Sequence, residues 1–229
     1  MKKIGLVGGT SWTSTVDYYR YINEAANDQL GGFHAAECIL YSVDFDKFKT
    51  FNAAHDWDST YGLLSHAGLQ LKAAGAELII LCANTSHMVA ERVEATVHLP
   101  MIDIRTATAA AIHKQGIQKV GLLGTVYTME LSFYRDKLLT LGIETIVPSQ
   151  QSDRDFIEDS VLDLGKGIIN PSDKTRYLEI IHELIQQGAE GMILGCTEIP
   201  LLLSQEDCPV PVFNTTLIHA QAAVDYALS

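Results

Sequence analysis

The chain has 229 residues, of which 47% are hydrophobic and 19% are charged, and this length can bury the core of one large domain or of two small ones. The net charge of −12 argues against nucleic acid or an anionic membrane as the main partner, but it does not exclude a small anionic ligand. The opening "MKKIGLVGGTSW" is predicted to be a first strand rather than a signal peptide, and no apolar run is long enough to span a bilayer.

In chain order, the first half is predicted to contain strands at 3–7, 36–43, 77–82 and 100–103, and helices at 14–28, 57–74, 85–95 and 105–115. The second half is predicted to contain strands near 119–123, 143–147, 190–194 and 210–213, and helices near 129–141, 153–164, 173–187 and 215–228. Continuous apolar strands that alternate with amphipathic helices indicate parallel sheets covered on both faces.

Three segments of the first half recur in the second half in the same order. "KIGLVGG" (3–9) resembles "KVGLLGT" (119–125), and "GAELIILCANT" (75–85) resembles "GAEGMILGCTE" (188–198). "LPMIDIRTATAAAI" (99–112) resembles "VPVFNTTLIHAQAAV" (210–224). Nearly constant spacing favours duplicated halves. The predicted fold class is therefore α/β, with two pseudo-symmetric doubly wound parallel-sheet domains at 1–104 plus 214–229 and at 105–213. The active site is expected in the cleft between them, at the carboxyl ends of the strands.

The four cysteines, Cys38, Cys82, Cys196 and Cys208, are far apart and show no metal-ligand spacing, which predicts a reduced cytoplasmic protein without a metal site. In the repeat alignment Cys196 matches Ala83, whereas Cys82 matches Gly195 and is predicted to be a core residue. A helix is expected to begin at Thr197, and its amides would lower the pKa of Cys196 and favour a thiolate that removes a proton or attacks an electrophile. A buried cysteine without chemical function remains the alternative.

Other candidates lie in turns that follow predicted strands. The glycine-rich turn "GLVGGTSW" (5–12) suits backbone approach to an anion but is not a dinucleotide fingerprint, and "LLGTVYTM" (122–129) offers Thr125 at the matching place. His87 is predicted to be a structural hydrogen-bonding group. Lys166, between two glycines, is either solvated or able to reach inward.

The motifs "GLVGGTSWTST", "ANTSH", "LLGTVYTM" and above all "GCTEIP" resemble the aspartate/glutamate racemase family over the whole chain. The resemblance implies a cofactor-independent enzyme, usually a dimer, in which two cysteines act on opposite sides of the substrate Cα. The chain departs from the family pattern C-N-T-x-H because Ala83 replaces the first cysteine. A methyl group cannot carry a proton.

The resemblance also implies roles for individual residues. Cys196 is the catalytic residue. The substrate carboxylates are held by Thr10, Ser11, Asn84, Thr85, Thr125 and Thr197, and Ala83 belongs to the same substrate-binding set. Asn52 and Lys166 contact the side-chain carboxylate, and Glu198 orients the ammonium or tunes Cys196.

Three functions follow in order of preference. The first is impaired or one-sided racemisation of aspartate or glutamate, with a small acidic amino acid or related dicarboxylate as ligand, no cofactor, and a homodimer as the assembly. The second is a single-cysteine decarboxylase on the same scaffold, and the third is a protein that binds an acidic amino acid without turnover.

Overall fold

The computed structural model describes residues 1–229, and the chain divides into two compact units. Unit 1 comprises Met1–Ile104 and His219–Ser229, and unit 2 comprises Arg105–Ile218. None of the helices combines the length and the apolar character that crossing a bilayer requires. The predicted α/β class with two parallel-sheet domains is confirmed.

Unit 1 has a three-stranded parallel sheet in the order β2-β1-β3. Its strands are β1 (Ile4–Gly8), β2 (Cys38–Ser42) and β3 (Leu78–Leu81). The helices of the segment Met1–Ile104 are α1 (Trp12–Leu30), α2 (Phe45–Ala53), α3 (Trp57–Ala73) and α4 (Ala90–Val97). The next helix, α5 (Ile104–Lys114), begins at the last residue of this segment.

Unit 2 has a four-stranded parallel sheet in the order β5-β4-β6-β7. Its strands are β4 (Lys119–Gly124), β5 (Glu144–Ile146), β6 (Gly191–Gly195) and β7 (Val212–Asn214). Its helices are α6 (Val126–Glu130), α7 (Ser132–Thr140), α8 (Gln151–Gly165) and α9 (Asp173–Gln186), and α10 (Thr215–Leu228) returns the chain to unit 1.

Alternating side chains of the strands in unit 1 enter two separate hydrophobic clusters. Ile4 and Leu6 belong to one cluster with α1 and α10, whereas Val7 belongs to another with α3 and α4. Successive residues of a strand point to opposite faces, so the sheet is buried on both sides. Unit 2 has one large cluster built from β4, β6, α8 and α9.

The two sheets repeat the same backbone contact at one edge. The amide of Ile79 donates to the carbonyl of Pro100, and the amide of Met192 donates to the carbonyl of Pro211. In unit 2 this contact extends into β7, whereas in unit 1 the predicted strand at 100–103 is reduced to a parallel bridge between Ile79 and Met101.

Several predicted elements differ from the structure. Helix α2 is absent from the predicted elements, and Asp44 caps it by accepting a hydrogen bond from the Asp46 amide. The predicted helix at 85–95 is a 3-10 turn (Thr85–Val89) followed by α4, and the one near 129–141 is divided into α6 and α7. Cys208 lies outside the helices and strands but is buried in the core of unit 2.

Candidate active site

In unit 1 the predicted site residues follow two adjacent strands. Because β1 and β3 are parallel neighbours, their carboxyl ends lie at the same edge of the sheet. The residues that follow β1 and β3 there are all buried: Thr10, Ser11, Ala83, Asn84 and Thr85. The structure thus brings five predicted residues to one sheet edge.

The turn after β1 requires glycine at position 9. Gly9 has a φ of 79°, and a Cβ there would lie 2.2 Å from the carbonyl oxygen of Val43. The Gly9 amide donates to Thr15 Oγ1 at 3.0 Å, so this amide is engaged within the turn rather than offered to an anion. The Oγ1 of Thr10 is buried and has no hydrogen-bond partner, which is unusual for a buried hydroxyl group.

The end of β3 holds a thiol and a methyl group in different environments. Cys82 is fully buried with Leu78 and Ile80 in the core of unit 1, and burial raises the pKa of its thiol. The interpretation of Cys82 as a core residue is confirmed. Ala83 follows it and retains an exposed fraction of 8%.

Two buried histidines fix the backbone behind Ala83. The amide of Ile104 donates to His87 Nε2 at 3.2 Å, so the other ring nitrogen, Nδ1, donates to the Ala83 carbonyl at 2.9 Å. His219 Nε2 donates to the carbonyl of Ile102 at 2.6 Å, and its Nδ1 accepts from Tyr18. The structural interpretation of His87 is confirmed.

Burial of the His219 ring lowers its pKa to about 3, with the neighbouring His87 as a second cause. His219 is therefore neutral in the folded protein at neutral pH.

Asn52 lies on α2, a helix that begins three residues after β2 ends. Its side chain is buried, and its Oδ1 accepts a hydrogen bond from Thr60 Oγ1 at 2.9 Å. The acceptor is thus used within unit 1. The expected contact of Asn52 with a substrate carboxylate stays a prediction.

In unit 2 the carboxyl ends of β4 and β6 are also adjacent. Thr125 follows β4 and caps α6, since its Oγ1 accepts from the Thr128 amide. A Cβ at Gly124 would lie 2.8 Å from the carbonyl oxygen of Gly195, so glycine permits the close approach of the two strand ends. Cys196, Thr197 and Glu198 follow β6, and all three are buried.

Cys196 forms a compact polar cluster with its two successors. The Cys196 thiol donates to Glu198 Oε2 at 3.0 Å, and Thr197 Oγ1 donates to the same oxygen at 2.8 Å. The other oxygen, Oε1, is buried and has no hydrogen-bond partner.

The pKa of Cys196 lies well above its usual range, first because of burial and then because of the negative charge of Glu198. The expectation of a lowered pKa is wrong. No helix begins at Thr197; the segment forms only a three-residue 3-10 turn, Ile199–Leu201, which lacks the dipole of a longer helix.

Lys166 is not among these buried residues. It follows the last residue of α8, its side chain is 61% exposed, and its ammonium group pairs with Asp163 at 2.8 Å. The predicted contact of Lys166 with a ligand remains a prediction.

Thr216 is a buried residue at the sheet edge of unit 2 that is not among the predicted site residues. β7 is the neighbour of β6, and the register pairs Leu194 with Asn214, so Thr216 follows β7 at the edge where Cys196 follows β6. Thr216 is 1% exposed and its Oγ1 has no hydrogen-bond partner, whereas Thr215 Oγ1 donates to the Leu194 carbonyl. Ligands bind at the carboxyl ends of the strands in such sheets, so the polar residues that follow the strand in "FNTT" indicate this position. No group of three histidines, cysteines or acidic residues has an arrangement that could hold a metal ion.

The family model for Asp/Glu/hydantoin racemases matches residues 7–223. The chain belongs to this family. The family comprises cofactor-independent amino-acid racemases, and the resemblance seen in the motifs is confirmed.

Relatives match over nearly the full length of the chain. A Yersinia pestis crystal structure described as a "putative Asp/Glu Racemase" is 50% identical, with all of both chains covered and a TM-score of 0.92. An aspartate racemase homologue from Pyrococcus horikoshii is 36% identical, with full coverage of both chains and a TM-score of 0.87. The broad-specificity amino-acid racemase RacX of Bacillus subtilis is 24% identical over 99% of this chain and 98% of its own.

A glutamate racemase from Francisella tularensis, crystallised with D-glutamate, shares the fold. It is 17% identical, with a TM-score of 0.71 over 99% of this chain and 80% of its own.

Proposed function

We propose that this chain is a cofactor-independent isomerase that removes and returns the α-proton of aspartate or glutamate, with Cys196 as its acid/base group. The observation that supports this most strongly is a buried thiol at the carboxyl end of a parallel strand, hydrogen-bonded to a buried carboxylate. A core cysteine needs no such partner, as Cys82 illustrates in unit 1.

In the proposed reaction the Cys196 thiol first passes its proton to its hydrogen-bond acceptor, Glu198 Oε2, and the resulting thiolate takes the proton from Cα. The S–H bond forms, the Cα–H bond breaks, and the electron pair moves into the α-carboxylate to give an enediolate. Hydroxyl groups that donate to the carboxylate oxygens stabilise this charge as it develops. Thr216 follows β7 at the sheet edge where Cys196 follows β6, and its buried, unpartnered hydroxyl could serve this role. The family resemblance assigns Thr10 to the same carboxylates.

The remaining roles in this proposal come from the family resemblance. Ser11, Asn84, Thr85, Thr125 and Thr197 are assigned to the substrate carboxylates, and Asn52 and Lys166 to the side-chain carboxylate. Lys166 would have to leave Asp163 to do so.

The replacement of the first family cysteine by Ala83 makes the proposed reaction slow. A racemase must deliver a proton to the face opposite the one that lost it. Water or a neighbouring hydroxyl would do this in place of the second thiol, without the contribution of about 10²–10⁴-fold that a positioned acid/base group makes.

The experiment is a conversion assay with separate L- and D-aspartate and L- and D-glutamate, followed by chiral chromatography. Wild type should form the opposite enantiomer slowly from at least one of the two amino acids. Cys196→Ser should lower this rate by about 10³-fold, because a hydroxyl at nearly the same place is a far poorer acid/base group at neutral pH. Unchanged conversion by Cys196→Ser would contradict the assignment of Cys196.

A second candidate is decarboxylation of a substituted malonate. It is favoured by the same pair of residues, because one-sided protonation of an enediolate needs the thiol of Cys196 and nothing at Ala83. If wild type releases carbon dioxide from such a malonate and Cys196→Ala does not, decarboxylation becomes the preferred function in place of racemisation.

A further inference from the structure

Glu158 is a half-buried residue of α8 whose carboxylate lies at the strand-end edge of unit 2. Its Oε2 accepts a hydrogen bond at 2.8 Å from the amide of Val126, the first residue of α6. Val126 lies two residues after Gly124, which the register pairs with Gly195, and Cys196 comes directly after Gly195. The hydrogen bond therefore holds the Glu158 carboxylate at the edge where Cys196 is found.

Two helices pack closely around this strand end. A Cβ at Gly195 would lie 3.4 Å from Thr128 Cγ2, so α6 lies directly against the end of β6. Cys196 shares one buried cluster with Ile157, the residue that precedes Glu158 on α8. Helix α8 thus contributes both an apolar side chain and a carboxylate to the surroundings of the thiol.

The proposed reaction makes no use of Glu158. We propose that Glu158 is a positioning residue of the Cys196 site: through its charge it keeps the sulfur a neutral thiol in the free protein, and so restrains its reaction with electrophiles. This inference rests on the proposed function, and it adds to the site a residue from α8.

The two carboxylates near the thiol both disfavour its ionisation. Burial and then the negative charge of Glu198 raise the pKa of Cys196, and the charge of Glu158 raises it further. Burial is also the main cause that raises the pKa of two neighbouring phenols, Tyr177 on α9 and Tyr127 on α6, and Glu158 contributes to both. These phenols are therefore neutral at neutral pH and bring no further charge to the sulfur.

This restraint has a cost and a benefit for the proposed reaction. The thiolate, rather than the thiol, removes protons and attacks electrophiles, so a second negative charge near the sulfur slows both processes. Ala83 cannot replace the sulfur of Cys196 if alkylation or irreversible oxidation destroys it. A site with a single thiol therefore gains protection from the charge that slows it.

The experiment follows the reaction of Cys196 with iodoacetamide between pH 7 and 10, and mass spectrometry of the modified peptide gives its rate. Glu158→Gln removes the charge and keeps an oxygen that can accept the hydrogen bond from Val126. This variant should react about threefold faster than wild type at pH 8, with its midpoint at a lower pH, because more of the sulfur is then a thiolate. The measurement needs no turnover.

Two further variants test whether the charge of Glu158 is responsible. Asp159→Asn is the matched control, because it removes an equal charge from the next residue of α8, which is exposed, and it should keep the wild-type profile. Glu158→Asp keeps the charge and should have a midpoint close to that of wild type.

The inference is wrong if Glu158→Gln has the wild-type midpoint, or if Asp159→Asn or Glu158→Asp shifts the midpoint as far as Glu158→Gln does. It is equally wrong if Cys196 does not react in any of these proteins, because burial alone would then restrain the thiol.

Conversion of aspartate and glutamate separates this inference from the proposed function. If both are right, the pH profile of conversion by Glu158→Gln moves to lower pH together with its alkylation profile. If the alkylation profile moves but neither wild type nor Glu158→Gln converts any enantiomer, the proposed function is rejected and the effect of Glu158 on the thiol stands. If wild type converts an enantiomer and Cys196→Ser does not, while Glu158→Gln keeps the wild-type alkylation profile, the proposed function stands and this inference is rejected.

Discussion

The ends of β3 and β6 are equivalent in the repeat, yet their side chains are held in opposite ways. After β3, the thiol of Cys82 points into an apolar core, and the next position is the methyl group of Ala83. After β6, glycine ends the strand and the thiol of Cys196 meets the carboxylate of Glu198. A shift of one residue along an extended chain thus decides whether a cysteine is a packing residue or a candidate acid/base group.

The surroundings of the two strand ends differ as well. At the β3 end the imidazole of His87 binds the Ala83 carbonyl group, and the ring of His219 packs against His87. A carboxylate instead holds the side chain at Cys196. The first end presents a methyl group, and the second holds a thiol beside a carboxylate that has one unsatisfied oxygen. In the proposed function the second end is the reactive one.

The comparison would be sharpened most by placing a thiol at the β3 end. Ala83→Cys restores the family pattern, and we expect it to speed racemisation of aspartate or glutamate by about 100-fold, because a positioned acid/base group contributes about 10²–10⁴-fold. Ala83→Ser is the size-matched control and should give little gain. Equal acceleration by serine and cysteine, measured by chiral chromatography, would show that added bulk rather than proton transfer is responsible.

A smaller effect is expected from the histidines behind the β3 end. The pKa of His219 is about 3 in the folded protein, below the ordinary value of 6.5, so the unfolded chain binds a proton that the folded chain does not. The free energy of unfolding should therefore fall as the pH is lowered from about 6.5 toward 3, by about 1.4 kcal/mol per pH unit from this group.

The measurement is urea unfolding at several pH values between 7 and 4, for wild type and for His219→Gln. The glutamine variant should be less stable at pH 7, because it loses the hydrogen bond pair with Ile102 and Tyr18, but its stability should decrease less steeply with acid. Identical slopes for the two proteins would mean that His219 does not titrate as its burial indicates.

Much of this fold could be predicted from the sequence, because apolar strands, amphipathic helices and the repeated segments are local patterns. Most strands and helices were predicted within a few residues of their bounds. α2 was missed because its short apolar pattern is weak and its signal is the cap at Asp44. The strand at 100–103 was overestimated because its apolar residues form only one bridge, at Met101.

The candidate site was predictable in part. Cys196 is predicted as a site residue because it follows a strand at the carboxyl edge of the sheet. The repeat alignment distinguishes it from Cys82, because Cys196 matches Ala83 and Cys82 matches Gly195. The sign of the pKa shift of Cys196 was not predictable, because it depends on burial and on the direction of the Glu198 side chain. The orphaned hydroxyl of Thr216 and the pairing of Lys166 with Asp163 also depend on side-chain placement, which no sequence spacing specifies.

Proton exchange at Cα in deuterated water, followed by proton NMR, tests most directly whether the β6 thiol is the reactive one. The proteins to compare are wild type, Cys196→Ala and Cys82→Ala, each with both enantiomers of aspartate and of glutamate. We expect deuterium to enter one enantiomer faster than the other with wild type and with Cys82→Ala, and at a rate lower by about 10³-fold with Cys196→Ala. Exchange that persists in Cys196→Ala, or that is lost in Cys82→Ala, would contradict the assignment.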